Sequence, residues 1–286
     1  DAQQHQVIFS VRGLDDLFEP TVRLFFETLW TPRLPDDAYT QFKEIALKQR
    51  DDSRKDQSVI ARAAQLYNRY GSDSPSLREP SSEDIRRLPQ EALRDVLRRA
   101  LSMKLSVCYS GTLPEKAVRE KVESVYPVRG LLDDPPAPRL LRARPIDTPE
   151  IYLYAMPEAA QAHILVDTPG SLAQPERNPV SQLFNAYFCD GMAGILFQEL
   201  REARALAYMA GGRYVTGFCP GDQNLMIGMV QTQQDKTVDA LNALLDLLDN
   251  MPREPERYAA AREALIQSYQ ADRVSFRSIA ARVLAW

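Results

Sequence analysis

The sequence contains only two histidines, His5 and His163, and this scarcity limits the metal chemistry open to the chain. No HxxEH or HxxxH motif occurs, whereas a catalytic zinc ion needs about three protein ligands. His163 lies in the apolar run AHILVD, where a histidine packed within a sheet is the expected structure. Neither histidine accompanies a serine or cysteine in a recognisable nucleophile motif. The residues therefore predict neither a zinc site nor a catalytic triad in this chain.

Cysteine is also scarce, and the sequence has neither a long apolar run nor an excess of positive charge. The three cysteines, Cys108, Cys189 and Cys219, are far apart and form no CxxC motif, so we expect small buried side chains and not a disulfide framework. No apolar run approaches the roughly 20 residues that a membrane-spanning helix needs. The net charge is −4, without a dominant basic patch, which argues against a nucleic-acid partner. These features do not distinguish a periplasmic from a cytoplasmic location.

What the sequence does contain is an internal repeat at an offset of 220 residues. Three pairs of segments match. They are TPRLPDDAYTQFKEIALKQRDD (31–52) with MPREPERYAAAREALIQSYQAD (251–272), SVIARAA (58–64) with SIAARVL (278–284), and, with a slip of two residues, QVIFSVRG (6–13) with NLMIGMVQ (224–231). The shared order is strand, helix, P-R-x-P, helix and a further helix. A period of this length predicts a duplicated domain and not a solenoid.

The two copies predict the domain organisation of the chain. Residues 1–126 are expected to be the closing part of one domain, and residues 149–286 the opening part of a second, homologous domain. Between them, residues 127–148 are rich in proline, arginine and aspartate and predict a linker. Because both copies are partial, we expect the chain to be an excised piece of a longer protein.

Strand-like and helix-like segments come in mixed blocks along the chain. Besides the repeat, residues 104–111, 150–157, 162–167 and 207–215 have the pattern of strands. This order lacks strict alternation of strand and helix. It predicts an α+β fold in which each domain packs helices on a largely antiparallel sheet.

Two stretches carry a resemblance to a known family. The run YFCDGMAGILFQELREARALAYMAGGRYVTG (187–217) is similar to the second-type domain of the insulinase/pitrilysin zinc metallopeptidases, the inverzincins. In that family a helix–Gly–helix element carries the pattern LF.ELRE..GLAY and is followed by strands. Residues 70–114 resemble the closing part of a preceding domain of the same type. The resemblance therefore covers nearly the whole chain and is of the non-zinc, C-terminal-half type.

The resemblance implies a function divided between two halves of a protein. Family members build a clamshell from repeated α+β domains, with HxxEH in one half and an Arg–Tyr pair in the other. Arg201 and Tyr208 have the spacing of that pair, so the resemblance implies that they are catalytic and substrate-binding residues near the scissile carbonyl. Donors placed there stabilise the developing oxyanion. The zinc ion is expected in a partner half, and this chain alone, which lacks HxxEH and supplies no metal ligand, is not expected to hydrolyse peptides.

The expected partners are therefore a peptide substrate and a zinc-bearing half, either of the same protein or in a partner subunit. Two other hypotheses stay open from the residues. The chain could belong to a catalytically inactive scaffolding or regulatory relative, or it could be a peptide-binding module that adds a strand at the segment GGRYVTG (211–217). Gly191 and Gly194 are interpreted as structural, for a helix break and close packing. Arg204 is interpreted as a solvated helix residue.

Overall fold

A computed structural model describes residues 7–126, 132–137, 139–217 and 221–284. The described residues are rich in helix and contain one three-stranded sheet. The helices are α1 (Phe18–Trp30), α2 (Asp36–Ser53), α3 (Gln57–Tyr70), α4 (Ser82–Arg87), α5 (Gln90–Leu101), α6 (Glu115–Val125), α7 (Asn178–Phe184), α8 (Ile195–Phe197), α9 (Thr237–Asp249), α10 (Pro255–Ala271) and α11 (Phe276–Leu284). Of the helices in these ranges, none combines the length and apolar character needed to cross a bilayer.

The sheet has the strand order β1–β3–β2, and both pairings are antiparallel. The strands are β1 (Ala162–Leu172), β2 (Met209–Val215) and β3 (Gln223–Thr232). The β2–β3 register is continuous through Gly211 and Gly212, so neither glycine marks a bulge. A Cβ atom on Gly212 would lie 2.7 Å from the carbonyl oxygen of Ile227. The antiparallel sheet packed with helices confirms the predicted fold class.

The larger core belongs to a compact unit formed by residues 51–79 and 140–272. Its fully buried side chains come from strand β3 and from the helical segments before and after it in the sequence, and they include Phe188, Ile195, Leu196, Leu200, Val230 and Leu244. In the same unit, α3 contacts β1 through polar side chains. The guanidinium of Arg69 donates to the Asp167 carboxylate at 2.8 Å, and the amide of Gln65 donates to the other oxygen at 2.7 Å. This charge pair is largely buried and mutually satisfied.

The second compact unit comprises residues 1–50, 80–139 and 273–286. In it, α1 packs against α5 and α6 through buried side chains that include Phe26, Leu101 and Val118. The Phe26 ring meets the ring of Tyr126 edge-on, with 5.2 Å between centroids. The predicted domain limits 1–126 and 149–286 stay a prediction, and the predicted linker 127–148 lies partly outside the described residues.

Both copies of the repeat form the helices that the sequence predicts. In the first copy α1, the P-R-x-P segment, α2 and α3 follow one another, and in the second copy α9, P-R-x-P, α10 and α11 do so. Pro255 is the first residue of α10, where its missing N–H group costs no hydrogen bond. In the first copy, Tyr39 donates its backbone N–H to the carbonyl oxygen of Pro35 at 3.0 Å and so anchors the start of α2.

Three predicted strands do not form as strands. The described residues of 6–13, and residues 104–111 and 150–157, lie outside the three strands of the sheet, and Val7 forms only an isolated bridge. The counterpart of 6–13 in the repeat is the central strand β3, which pairs with a strand on each side. An apolar pattern makes a segment extended, but a strand also needs a hydrogen-bonding neighbour. Cys108, in one of these segments, is consequently exposed, which corrects the expectation of a buried thiol.

Candidate functional site

The predicted pair lies beyond a helix that breaks and resumes. Helix α7 continues through the π-helical turn Asn185–Cys189 and ends at Asp190. Gly191 has φ +65°, a left-handed conformation that glycine adopts without steric cost. A Cβ atom on Gly194 would lie 2.9 Å from the carbonyl oxygen of Asp190, so the chain turns too tightly there for a side chain. Both glycines therefore have the structural roles that the sequence predicts.

The resumed helix presents one buried and one exposed side. Helix α8 continues through the π-helical turn Gln198–Ala203. Ile195, Leu196 and Leu200 are fully buried and fix this helix against the sheet. Arg201, on the other side, has a side chain that is 45% exposed. The apolar anchors thus hold the helix so that Arg201 points away from the core.

A tight turn joins this helix to β2 and determines where Tyr208 lies. Ala205 has φ +48°, and the backbone N–H of Leu206 reaches back to the carbonyl oxygen of Leu200 at 2.9 Å. The buried hydroxyl of Thr232 donates to the Leu206 carbonyl oxygen at 2.6 Å. The backbone N–H of Tyr208 donates to the carbonyl oxygen of Gln231 at 2.8 Å. The turn is therefore tied both to its own helix and to β3.

Arg201 and Tyr208 meet on one exposed surface. The Cζ atom of Arg201 lies 6.0 Å from the centroid of the Tyr208 ring, within the range of a cation–π contact. Tyr208 is 65% exposed, which is high for an aromatic residue next to a sheet. The nearest carboxylate is that of Glu202, whose Oε1 is 3.6 Å from Nε of Arg201, longer than a hydrogen bond. Within the described part of the chain, the guanidinium thus keeps its N–H donors available for another acceptor.

Sequence reasoning missed a third member of this cluster, Phe197. The Cζ atom of Arg201 lies 5.0 Å from the centroid of the Phe197 ring, closer than to that of Tyr208. The signal was present in the spacing, because residues four apart on a helix lie on the same face. We call Phe197, Arg201 and Tyr208 the aromatic–arginine cluster.

The surrounding charges are paired and exposed. Arg204 lies 3.6 Å from Glu199, and Arg213 lies 3.9 Å from Asp190. Such exposed pairs contribute little to stability. The side chain of Arg204 is 39% exposed, in agreement with its interpretation as a solvated helix residue.

No metal site accompanies the cluster. Among the described residues, no three His, Cys, Asp or Glu side chains are grouped so as to hold a metal ion. His163 lies in β1 opposite Gln231, while His5 and Cys219 fall outside the described residues. Cys189 is buried, and its burial, aided by the charge of Asp190, raises the pKa of the thiol to about 12. This cysteine is therefore a protonated core residue near neutral pH.

Residues 100–265 match the family description "Peptidase M16 inactive domain", and this range contains the whole aromatic–arginine cluster. An uncharacterized zinc protease of Streptomyces coelicolor is 29% identical over 151 residues, which cover 51% of this chain and 32% of that protein. The chain thus spans about a third of the length of this curated relative.

Solved structures share the fold at low sequence identity. The peptidase M16 inactive domain of Pseudomonas fluorescens superposes with a TM-score of 0.62 at 18% identity, over 94% of this chain and 64% of the other. The ferredoxin protease FusC, solved in complex with Arabidopsis ferredoxin, gives a TM-score of 0.72 at 14% identity, over 94% of this chain and 29% of the other. The periplasmic protease PqqL of Escherichia coli gives 0.68 at 13% identity, over 93% and 30%. These structures show that the fold is shared, and the family match over residues 100–265 confirms the predicted resemblance.

Proposed function

The chain belongs to the M16 peptidase family, whose inactive domain it carries, and we propose that it forms part of the substrate-binding, non-zinc half of a peptide-cleaving zinc metallopeptidase. The family assignment rests on more than half of the chain. The role in peptide binding is our inference from the aromatic–arginine cluster.

The observation that supports this role is the meeting of Arg201 and Tyr208 on an exposed surface. The two residues come from a helix end and a strand start, and the intervening turn brings the guanidinium to 6.0 Å from the ring. Neither side chain is needed for the core, because Arg201 is 45% exposed and Tyr208 is 65% exposed. A planar guanidinium and a phenol side by side offer several hydrogen-bond donors to one acceptor.

The chemistry that this pair supplies is the binding of a peptide carbonyl oxygen. Arg201 donates N–H groups and Tyr208 donates its O–H group to the oxygen on which negative charge develops during hydrolysis. The described residues do not fit a zinc site, so we place the zinc ion in a partner half. This chain's own contribution is to orient the peptide and to stabilise the charge on the carbonyl oxygen.

The proposal is tested by comparing this chain with the whole protein from which it comes, on a library of quenched peptides with and without added zinc. We expect the whole protein to cleave in the presence of zinc and this chain alone to be inactive. Cleavage by this chain alone would overturn the division between a zinc half and a non-zinc half. If the whole protein also fails to cleave, the proposal is wrong and the scaffolding hypothesis takes its place.

A further inference from the structure

Phe197 lies against the Arg201 guanidinium, and neither its position nor its surroundings suggest a purely structural role. Its side chain is half-buried at the end of α8, while its neighbours Ile195 and Leu196 are fully buried. Leu200, one turn later, is fully buried as well. These three apolar anchors fix the helix without Phe197, so its ring is available for a surface contact.

Resting on the proposed function, we propose that Phe197 is a positioning residue that holds the Arg201 guanidinium beside Tyr208. The Cζ atom of Arg201 lies 5.0 Å from the centroid of the Phe197 ring and 6.0 Å from that of the Tyr208 ring, so the planar cation lies within reach of two aromatic rings. Arginine packs well on aromatic faces and leaves its edge N–H groups free to donate. The rings therefore orient the cation without using its donors.

Glu202, the charged neighbour of Arg201, holds the guanidinium less well than the aromatic rings do. Glu202 is 54% exposed, and its 3.6 Å contact with Nε of Arg201 is too long for a hydrogen bond. Exposed ion pairs of this kind are weak and are screened by salt. A carboxylate would in addition compete with a substrate oxygen for the same donors. The aromatic contact is thus the interaction that orders Arg201.

Tyr208 is fixed independently of Arg201. Its backbone N–H donates to Gln231, and the turn before it is held by the hydroxyl of Thr232. These bonds hold the backbone of Tyr208, whereas the long side chain of Arg201 loses much rotamer entropy when it is ordered. Phe197, which is four residues earlier on the same helix, reduces that loss before substrate binds.

The test is a double-mutant cycle in the whole protein, with kcat/KM measured on a quenched peptide. The variants are Phe197→Leu, Arg201→Ala and the two combined. Phe197→Leu is expected to lower kcat/KM by about two- to fivefold, as the loss of an exposed cation–π contact would. In the Arg201→Ala background the same change is expected to have no further effect, because there is no guanidinium left to position.

Controls separate positioning from stability. Phe197→Tyr keeps the aromatic face and is expected to restore the activity lost in Phe197→Leu. Phe184→Leu removes a ring that packs on Phe188, away from Arg201, and reports the effect of destabilisation alone. Glu202→Gln is expected to leave the effect of Phe197→Leu unchanged.

Two different failures can be told apart. If Phe197→Leu lowers kcat/KM equally with and without Arg201, Phe197 acts on stability and the positioning role is wrong, while the proposed function stands. If Arg201→Ala itself leaves kcat/KM unchanged, the proposed role of Arg201 fails, and the positioning role fails with it.

Discussion

The turn between Arg201 and Tyr208 contains a strained residue, and relieving the strain should stabilise the protein. Ala205 has φ +48°, a left-handed conformation that costs a non-glycine residue roughly 1–2 kcal/mol. The family pattern LF.ELRE..GLAY has glycine at this position. The substitution Ala205→Gly removes the steric cost and leaves the bonds of the turn intact, because these use backbone atoms of Leu206 and Tyr208.

The gain is partly offset in the unfolded chain. Glycine gives the unfolded state more conformational freedom, which costs about 0.4–1 kcal/mol of stability. The expected net effect of Ala205→Gly is an increase in the free energy of unfolding of about 0.5–1 kcal/mol. In a unit of this size that corresponds to a rise in Tm of roughly 1–4 °C.

Urea unfolding followed by circular dichroism measures this difference, with Ala260→Gly as the matched control. Ala260 is exposed in the middle of α10, where its helical backbone gives glycine no advantage. There the same substitution is expected to lower the free energy of unfolding by about 1 kcal/mol. If Ala205→Gly destabilises the protein as Ala260→Gly does, the left-handed turn and the geometry derived from it are wrong.

Two further predictions concern polar contacts elsewhere in the same unit. Asn185→Ala removes two hydrogen bonds, of 2.9 and 2.7 Å, between the buried Asn185 side chain and the backbone of Tyr214. It is expected to lower the free energy of unfolding in urea by about 2 kcal/mol. An unchanged unfolding midpoint would show that these hydrogen bonds do not stabilise β2. The pKa of Glu150 is lowered from 4.5 to about 2, mainly by the hydrogen bond from Arg144 and next by that from Tyr152. The ionised Glu150 carboxylate therefore stabilises the folded protein fully above pH 4.5, and this stabilisation is lost as the pH falls through about 2. Glu150→Gln should therefore lose less stability than the parent over this pH interval, and parallel stability curves for the two proteins would contradict the assignment.

The helices were predictable from sequence because their information is local. The P-R-x-P segments and the apolar periodicity of the following helices act over a few residues, and both copies fold as predicted. The strands at 162–172, 209–215 and 223–232 also agree with the prediction. These three segments lie side by side, so their backbone N–H and C=O groups form hydrogen bonds with one another. The segments at 104–111 and 150–157 have the same pattern but belong to none of the three strands. At the start of the first, Lys104 donates its backbone N–H to the carbonyl oxygen of Asp133 at 2.8 Å, beside a single bridge between Met103 and Asp133. Composition does not reveal whether such a contact extends into a paired strand.

The candidate site was predictable only in part. The seven-residue spacing of Arg201 and Tyr208 suggested a common site, and the structure places their side chains together. They meet because Ala205 adopts a left-handed conformation and because Thr232 donates a hydrogen bond to Leu206. That hydrogen bond comes from a strand more than 20 residues away, so the local sequence does not predict it. Phe197 was missed because an apolar residue in a helix pattern is ordinarily taken as core.

The measurement that tests the central claim most directly is kcat/KM of the whole protein, with zinc, after substitution of the predicted pair. Arg201→Ala combined with Tyr208→Phe removes the donors that are proposed to contact the scissile carbonyl, and Arg204→Ala removes an exposed arginine three residues away as the control. We predict a loss of about 10²-fold or more for the double variant, as for the removal of a donor from an oxyanion hole, and little change for Arg204→Ala. Equal kcat/KM values for the double variant and the parent would contradict the account.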